Sequence, residues 1–274
     1  MIDLSIIIVS YNTKNLVLGC LASIEKEGSD IKVEVIVVDN ASSDGSKESF
    51  EKLKGRGRNV RFIFNKRNLG YAKANNQGIK VASGKYLLLL NSDTLVKKGA
   101  LGVLIDFAKE HPDAGVVGPK LYNIDGTLQP SCFHFPTIRN AILEYWFGKK
   151  GLFEKFAPKG NKPAMVDAVV GAAFLITPQA KVKIGMLDER YWAYFEDIDY
   201  CRQAWRSGLK VYYLPQSEII HYHGASFKKL ANESEMWRRL IPSSKIYHGA
   251  PKHYMINTII WLRQKWQKLL QKVD

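Results

Sequence analysis

Four groups of residues have the types and spacing to do chemistry. In the first, Asn91-Ser92-Asp93 follows the aliphatic run Tyr-Leu-Leu-Leu-Leu at 86–90. A carboxylate on a loop at a strand end is a hard oxygen ligand, suited to Mg²⁺ or Mn²⁺ held together with a diphosphate. A lone Asp there also serves as a helix cap. In the second, Tyr194-Phe195-Glu196-Asp197-Ile198-Asp199 puts three carboxylates within four positions. They repel one another unless a cation or a helix N-terminus compensates. The neighbouring aromatics Tyr191, Trp192, Tyr194 and Phe195 lower the local dielectric, which tunes a carboxylate toward general-base work. In the third, His221-Tyr222-His223-Gly224-Ala225-Ser226 ends an apolar run. In a strand His221 and His223 point the same way, and imidazole suits a borderline metal such as Mn²⁺. The plainer alternative is a pair of satisfied, partly buried histidines. In the fourth, Asn68-Leu69-Gly70-Tyr71-Ala72-Lys73 opens a helix with a lysine in its first turn. That lysine opposes the helix dipole unless an anion is near, and helix N-termini attract phosphate.

The elements that must position these groups come next. Continuous apolar runs at 4–9, 33–38, 60–64 and 86–90 end in Ser10-Tyr11-Asn12, Asp39-Asn40, Asn65 and Asn91-Ser92-Asp93. Short aliphatic runs bounded by turn residues predict buried strands of a parallel sheet. Between them lie helical faces: Leu16, Cys20, Leu21 and Ile24; Phe50 and Leu53; Ala74, Ile79 and Ala82. Four alternations predict an α/β domain with a mainly parallel sheet. Asn12, Asp39 and Asp93 then fall at the carboxyl ends of strands, the edge where open α/β sheets bind ligands. Ser43 or Asp44 suffices to cap the helix after Asp39, which leaves Asp39 itself for another role. Further on, the pattern predicts a helix at about 97–110 and a strand around 115–118. Residues 121–165 read as a long aromatic-rich excursion. A strand is expected at 166–177 with Gly171 inside it, where a glycine marks close approach of a ligand or backbone. Then come a helix over 196–206, strands at 210–214 and 218–222, and a helix from 252.

Composition narrows the classes. Of 274 residues, 46% are hydrophobic and 24% charged, which excludes disordered and fibrous chains. Cys20, Cys132 and Cys201 are odd in number and widely spaced, which fits reduced thiols rather than a disulfide framework or a zinc knuckle. The N-terminus lacks the basic segment of a signal peptide, and no run reaches the roughly 18 apolar residues of a membrane span. Forty Lys+Arg against 26 Asp+Glu give a net charge of +14, which suggests an anionic partner. Residues 207–274 carry 11 basic and 4 acidic residues, half of that excess. No G-x-G-x-x-G, G-x-x-x-x-G-K-[ST], H-E-x-x-H or G-x-S-x-G occurs, so dinucleotide oxidoreductases, P-loop NTPases, zincins and α/β-hydrolases lose their main support.

Taken in order, Val-Ser-Tyr-Asn at 9–12, Val-Asp-Asn-Ala-Ser-Ser-Asp-Gly at 38–45, Asn-Leu-Gly-Tyr-Ala at 68–72 with Asn-Asn at 75–76, Asn-Ser-Asp at 91–93, Gly-Ala at 171–172, Phe-Glu-Asp-Ile-Asp at 195–199 and His-x-x-Gly-x-Ser at 221–226 resemble the family 2 glycosyltransferases. The detail is most similar to the branch of rhamnosyltransferases that use dTDP-rhamnose to extend bacterial cell-surface polysaccharide. The resemblance implies a GT-A fold: a mainly parallel central sheet flanked by helices. Residues 1–226 would form the catalytic domain, with a Rossmann-like nucleotide-sugar-binding half at 1–120 and an acceptor and catalytic-base half at 121–226. Residues 227–274 would be a basic helical extension. Ser10, Tyr11, Asn12, Asn40, Gly70, Asn91 and Ser92 would line the nucleotide-sugar site, and Asp39 would bond the pyrimidine. Lys73 or Asn76 would help hold the diphosphate. Asp93 would ligate the metal, with His221 on the metal or diphosphate from the far side. Asp197 would be the general base with Glu196 beside it, and Gly171 and Trp192 would shape the sugar and acceptor pocket.

The reaction implied is an inverting, metal-dependent transfer from a dTDP- or UDP-sugar to a hydroxyl of a glycan or lipid-linked acceptor. The family's usual Asp-x-Asp triplet here begins with Asn91, one carboxylate fewer, which weakens the metal site. The expected location is cytoplasmic, with peripheral attachment to the cytoplasmic face of a membrane as one alternative. The tail from 252, with Trp261, Trp266, Arg263, Lys265, Lys268 and Lys272, could lie on an anionic membrane, pair with a second subunit as a homodimer, or pack on the catalytic domain. Two rivals stand beside this. A sugar-nucleotide pyrophosphorylase would need a Gly-rich basic loop near the N-terminus, and Ser10-Tyr11-Asn12-Thr13 is not one. A nucleic-acid-binding protein is suggested by seven Lys/Arg over 52–67, but aromatic and basic residues are not interleaved there, and no nucleic acid is expected as partner.

Overall fold

A computed structural model describes residues 1–53, 59–222 and 233–270, apart from the side chains of 233–237 and 268–270. The Gly224 and Ser226 of the last motif, and the second histidine, His223, lie outside the described residues, as does the proposed boundary at 226/227. The chain opens with β1 (Leu4–Ser10), α1 (Lys14–Glu25), β2 (Val33–Asp39), α2 (Ser46–Glu51), β3 (Val60–Phe64), α3 (Tyr71–Val81) and β4 (Tyr86–Asn91). It continues through β5 (Thr94–Val96), α4 (Ala100–Glu110), β6 (Ala114–Tyr122), β7 (Leu128–Gln129), β8 (Cys132–Phe133), α5 (Ile138–Tyr145), β9 (Ala164–Met165), β10 (Ala168–Val169) and β11 (Ala173–Ile176). It ends with α6 (Pro178–Lys183), α7 (Glu196–Arg206), β12 (Lys210–His221), α8 (Glu233–His248) and α9 (Ala250–Leu270).

The main sheet runs β3-β2-β1-β4-β11-β6-β12-β5. Strands β3, β2, β1 and β4 are parallel, β11 is antiparallel to both its neighbours, and β12 is parallel to β6. The aliphatic runs form strands because both faces are covered. Ile6 and Ile8 pack with the buried residues of α1 and α4, while Ile7 points the other way, toward α3 and α7. Each such side chain removed from water contributes about 1.5–3 kcal/mol. Gly78 lets α3 come this close, since a Cβ there would stand 2.5 Å from Ile7 Cγ2. Register fixes the ligand edge: Ser10 pairs with Asp39, and Val9 with Asn91. The polar residues that end β1, β2 and β4 therefore share one rim.

Three expectations change. Gly171 is not inside a strand; it lies in a turn between β10 and β11. Its N–H bonds the Asp197 carboxylate and its carbonyl accepts from the Tyr71 hydroxyl, so neither group serves a ladder. The expected strands at 210–214 and 218–222 are one strand, β12, with a register shift between Leu214 and Glu218. Pro215, which has no N–H to donate, falls in that shift. The final helix begins at Ala250, after a further helix, α8, that carries Pro242 inside it.

The C-terminal helices are built into the body. Ser243 Oγ donates to the Ala193 carbonyl at 2.7 Å, Arg202 donates to the Tyr247 carbonyl at 2.9 Å, and Trp146 Nε1 of the α5 end donates to the Ile259 carbonyl at 3.2 Å. Among the described residues no helix is long and apolar enough to cross a membrane. All three cysteines are buried and free.

Candidate active site

A cleft of about 1060 Å³ opens at the rim. Asn40 organises one wall. Its amide donates to Asn68 Oδ1 (2.8 Å) and the Gly70 carbonyl (3.3 Å), and its Oδ1 accepts from the Leu69 N–H and Asn65 Nδ2. This ties the end of β2 to the loop that starts α3. Gly70 has φ 85°, and a Cβ there would lie 2.5 Å from the Trp192 carbonyl and 2.9 Å from its ring. The Tyr71 N–H donates to that carbonyl at 2.7 Å. Gly70 and Trp192, distant in sequence, are thus one contact on the cleft wall.

Asp93 and His221 form the floor, 2% and 8% exposed. His221 Nε2 stands 3.4 Å from Asp93 Oδ1 and 3.4 Å from Asn91 Nδ2. Gln129 sets the imidazole: its Nε2 donates to Asn123 Oδ1 and to the His221 carbonyl, so its Oε1 accepts the His221 Nδ1 proton at 2.7 Å. Nε2 is turned toward Asp93. Fixing a ring through its second nitrogen is how imidazole ligands are oriented. Among the described residues there is no group of three or more His, Cys, Asp or Glu side chains that could hold a metal. Two ligands fit a cation such as Mg²⁺ or Mn²⁺ that takes its remaining ligands from phosphate and water.

Glu196 and Asp197 line the same cleft. Tyr194 and Phe195 both have positive φ, 69° and 70°, a cost of about 1–3 kcal/mol each that folded structure must override. The turn they make delivers Glu196 and Asp197 as the first residues of α7. Asp197 accepts from the Gly171 N–H (2.8 Å) and from the Ile198 N–H (2.8 Å). Burial raises its pKa, while those two N–H groups and the charge of Lys155 pull it back. Glu196 is pushed up to about 8 by burial and then by the Asp197 charge, and its Oε2 has no hydrogen-bond partner. Burial, then the charges of Glu196 and Asp197, also raise Tyr71, whose hydroxyl stays a donor. Asp199 points away, held by Arg202 and by Gln203 at 2.9 Å.

The structure thus gathers Tyr11, Asn40, Gly70, Asn91, Ser92, Asp93, Gly171, Trp192, Glu196, Asp197 and His221 around one cleft. Five other residues singled out from sequence sit elsewhere. Ser10 is buried with its hydroxyl 3.1 Å from Thr13 Oγ1. Asn12 and Asp39 pin the 42–43 loop: Asn12 Oδ1 accepts from the Ser43 N–H and Asp39 Oδ1 from the Ser42 N–H. Burial raises Asp39 as well. Lys73 lies on the surface 3.8 Å from Glu189. Asn76 is buried, with its Oδ1 accepting from the Leu187 N–H and its amide donating to the Leu187 carbonyl. Sequence reasoning passed over Gln129, Lys155 and the α8–α9 residues that also line the cleft. Gln129 and Lys155 fall in the weakly periodic excursion, and nothing local marks them.

The sheet order and the walls of this cleft define a glycosyltransferase of the GT-A fold. The chain belongs to Glycosyl transferase family 2, whose profile matches residues 5–161. This sets aside the pyrophosphorylase reading. Among its relatives, the N-acetylglucosaminyl-diphospho-decaprenol L-rhamnosyltransferase of Mycobacterium tuberculosis is 26% identical over 211 residues, 71% of this chain and 68% of that one. The dTDP-rhamnosyl transferase RfbF of Shigella flexneri is 24% identical over 272 residues, 97% of this chain and 82% of that one. Among solved structures, S. aureus TarS 1–349 in complex with UDP-GlcNAc superposes with TM-score 0.60 at 18% identity, over 94% of this chain and 70% of that one. GalNAc-T7 with UDP, GalNAc and Mn²⁺ gives 0.65 at 17%, over 81% of this chain but 44% of that one.

Proposed function

We propose that this glycosyltransferase moves a sugar, rhamnose in the first instance, from a dTDP- or UDP-linked donor to a hydroxyl of a glycan or lipid-linked acceptor in cell-surface polysaccharide synthesis, with inversion. The observation that carries it is the presence in one cleft of two separately held acids, Asp93 beside His221 and Asp197 on the Gly171 and Ile198 N–H groups. The names of the M. tuberculosis and Shigella flexneri relatives support rhamnose. Tyr11, Asn40, Gly70, Asn91 and Ser92 line the donor side. Asp93 and His221 are the residues that would hold Mg²⁺ or Mn²⁺, which when bound offsets charge growing on the leaving diphosphate. Gly171 and Trp192 shape the sugar pocket.

Asp197 accepts the proton of the attacking hydroxyl. Its two backbone N–H partners hold the carboxylate in place and, with the charge of Lys155, favour its ionised form against the burial that raises it, while burial pushes Glu196 up to about 8. Attack from the face opposite the diphosphate is a single in-line displacement, hence inversion. The protein works at the cytoplasmic face of a membrane. Exposed Tyr254, Trp261 and Trp266 on α9, with the basic tail, support that placement.

Asp197→Asn tests the central assignment. Transfer falls by at least about 10³-fold while UDP or dTDP binding, read by thermal shift with and without Mn²⁺, stays within about twofold. Near-normal turnover in that variant would remove Asp197 as the base.

A further inference from the structure

The cleft, about 1060 Å³, is at the upper end of the range for small-ligand sites, about 300–1,000 Å³, and its two halves differ in chemistry. The donor half is made by the ends of β1, β2 and β4 and is polar. The other half is made by the segment after β7, the loop at 153–155, and α8 and α9. It is lined by Phe133, Pro136, Phe153, Ile241, Ile256 and Ile260. The polar groups on its helical side are turned to one another: Ser244 Oγ lies 2.8 Å from His253 Nδ1, and Asn257 Nδ2 donates to the His253 carbonyl at 2.8 Å. They offer little to a row of sugar hydroxyls. Among the described residues two cations line this half, Arg239 of α8, which lies over the Trp192 ring at 4.1 Å, and Lys155. Lys155 lies over the Phe133 ring at 5.5 Å and its charge acts on Asp197. Helix α9 shapes the half directly, because His253, Ile256, Asn257 and Ile260 recur at helical spacing along the face turned to the cleft.

We propose that this half is an acceptor subsite for an aliphatic chain joined to an anionic phosphate, the chain lying on Phe133, Phe153, Ile256 and Ile260 and the phosphate meeting Lys155. The proposal rests on the transferase reading and selects a lipid-linked acceptor over a free glycan. An aliphatic chain gains by leaving water for this lining. A phosphate at Lys155 places the acceptor's first sugar beside Asp197, where its hydroxyl loses a proton.

The test uses the full chain and binding alone. Dodecyl phosphate, kept below its micelle concentration, is titrated by calorimetry and compared with ethyl phosphate and with maltotriose. The expected result is one saturable site at least about tenfold tighter for dodecyl than for ethyl phosphate. Ile256→Asn and Ile260→Asn weaken dodecyl phosphate by about tenfold. Lys155→Ala weakens it too, without changing the gain from chain length. UDP binding, measured by thermal shift on every variant, serves as the control for folding and should be neither lost nor competed. Equal binding of ethyl and dodecyl phosphate overturns the proposal. So does tight maltotriose binding at the expense of dodecyl phosphate, displacement of dodecyl phosphate by UDP, or loss of binding in Trp261→Ser with none in the isoleucine variants, which would put the chain on the outer face of α9. Failure of both UDP and dTDP to bind wild-type protein would strike the transferase reading instead, and leaves the dodecyl phosphate comparison interpretable.

Discussion

Glu196 and Asp197 are adjacent in sequence and opposite in surroundings. Two backbone N–H groups and the charge of Lys155 favour ionised Asp197, whereas Glu196 Oε2 is buried without a partner and Glu196 rises to about 8. Burial still leaves Asp197 raised from its ordinary value. The acid limb of kcat/KM should therefore lie above about pH 4, the value of an unperturbed Asp. Lys155→Ala should move that limb further up, because it removes a cation that favours the charged form. If the rate drops with the limb unmoved, Lys155 acts on binding alone. Gly70 is a second test. Alanine there must adopt φ 85° with its Cβ 2.5 Å from a backbone oxygen, so Gly70→Ala should cost about 2–4 kcal/mol and shift Trp192 fluorescence. Much of this site was legible as residue types. Asn-Ser-Asp after a strand, Glu-Asp at a helix start and His221 at a strand end all reached the cleft. Gln129, which sets the His221 ring from 92 positions away, was not, because a glutamine that orients a histidine has no local pattern.

At the scale of elements, the parallel half of the sheet was readable because strands buried on both faces become unbroken aliphatic runs, as in Ile6-Ile7-Ile8 and Leu87-Leu88-Leu89-Leu90. The acceptor half was harder for the same reason turned round. Its strands β7, β8, β9 and β10 are two residues each, too short for any period, and its order comes from side-chain bonds such as Asp167 Oδ2 accepting the Phe135 N–H. Residues 227–274 were expected only as a helical extension, and α8 forms within it with Pro242 inside the helix. The tail's periodic residues were visible, but its inner face could not be assigned without α5 and the cleft. In the structure Ile256 is buried, while Tyr254, Trp261, Leu262 and Trp266 are exposed on the same helix. The outer face should therefore bind membranes independently of the inner. Trp261→Ser with Trp266→Ser should reduce co-sedimentation with vesicles containing anionic lipid by several fold, more strongly at high salt, where the remaining attraction of the basic residues is screened. UDP binding should be unchanged. Undiminished sedimentation would remove this face as a membrane contact.

For the whole molecule, two buried glutamates set opposite pH slopes on stability. Glu34 sits on β2 opposite Ser5 of β1, and its carboxylate accepts from Ser5 Oγ, from the Ser83 N–H and hydroxyl, and from Arg61. Burial alone would raise its pKa, but these donors outweigh it and lower the group to about 2. A depressed carboxylate stabilises the fold above its unfolded pKa of about 4.5, and that stability is lost as pH falls through about 2. Glu196 has the reverse sign. With a folded value of about 8, the folded state binds the extra proton between about 4.5 and 8, so stability declines as pH rises across that window. Wild-type protein should be most stable near pH 5, where Glu34 is charged in both states and the cost of ionising Glu196 has barely begun. Urea unfolding of wild type, Glu34→Gln and Glu196→Gln at pH 3, 5 and 8 separates the contributions. Glu34→Gln should lose on the order of 2 kcal/mol at pH 5 and 8 and less at pH 3. Glu196→Gln should gain relative to wild type at pH 8 and match it at pH 5. The net charge of +14 grows as carboxylates protonate and adds an acid-side repulsion, but the variants differ from wild type by a single unit, so it largely cancels in the differences. A Glu196→Gln protein with the wild-type slope between pH 5 and 8 would show that Glu196 ionises normally in the fold, and the ordering of the two acids that leaves Asp197 as the base would fall with it.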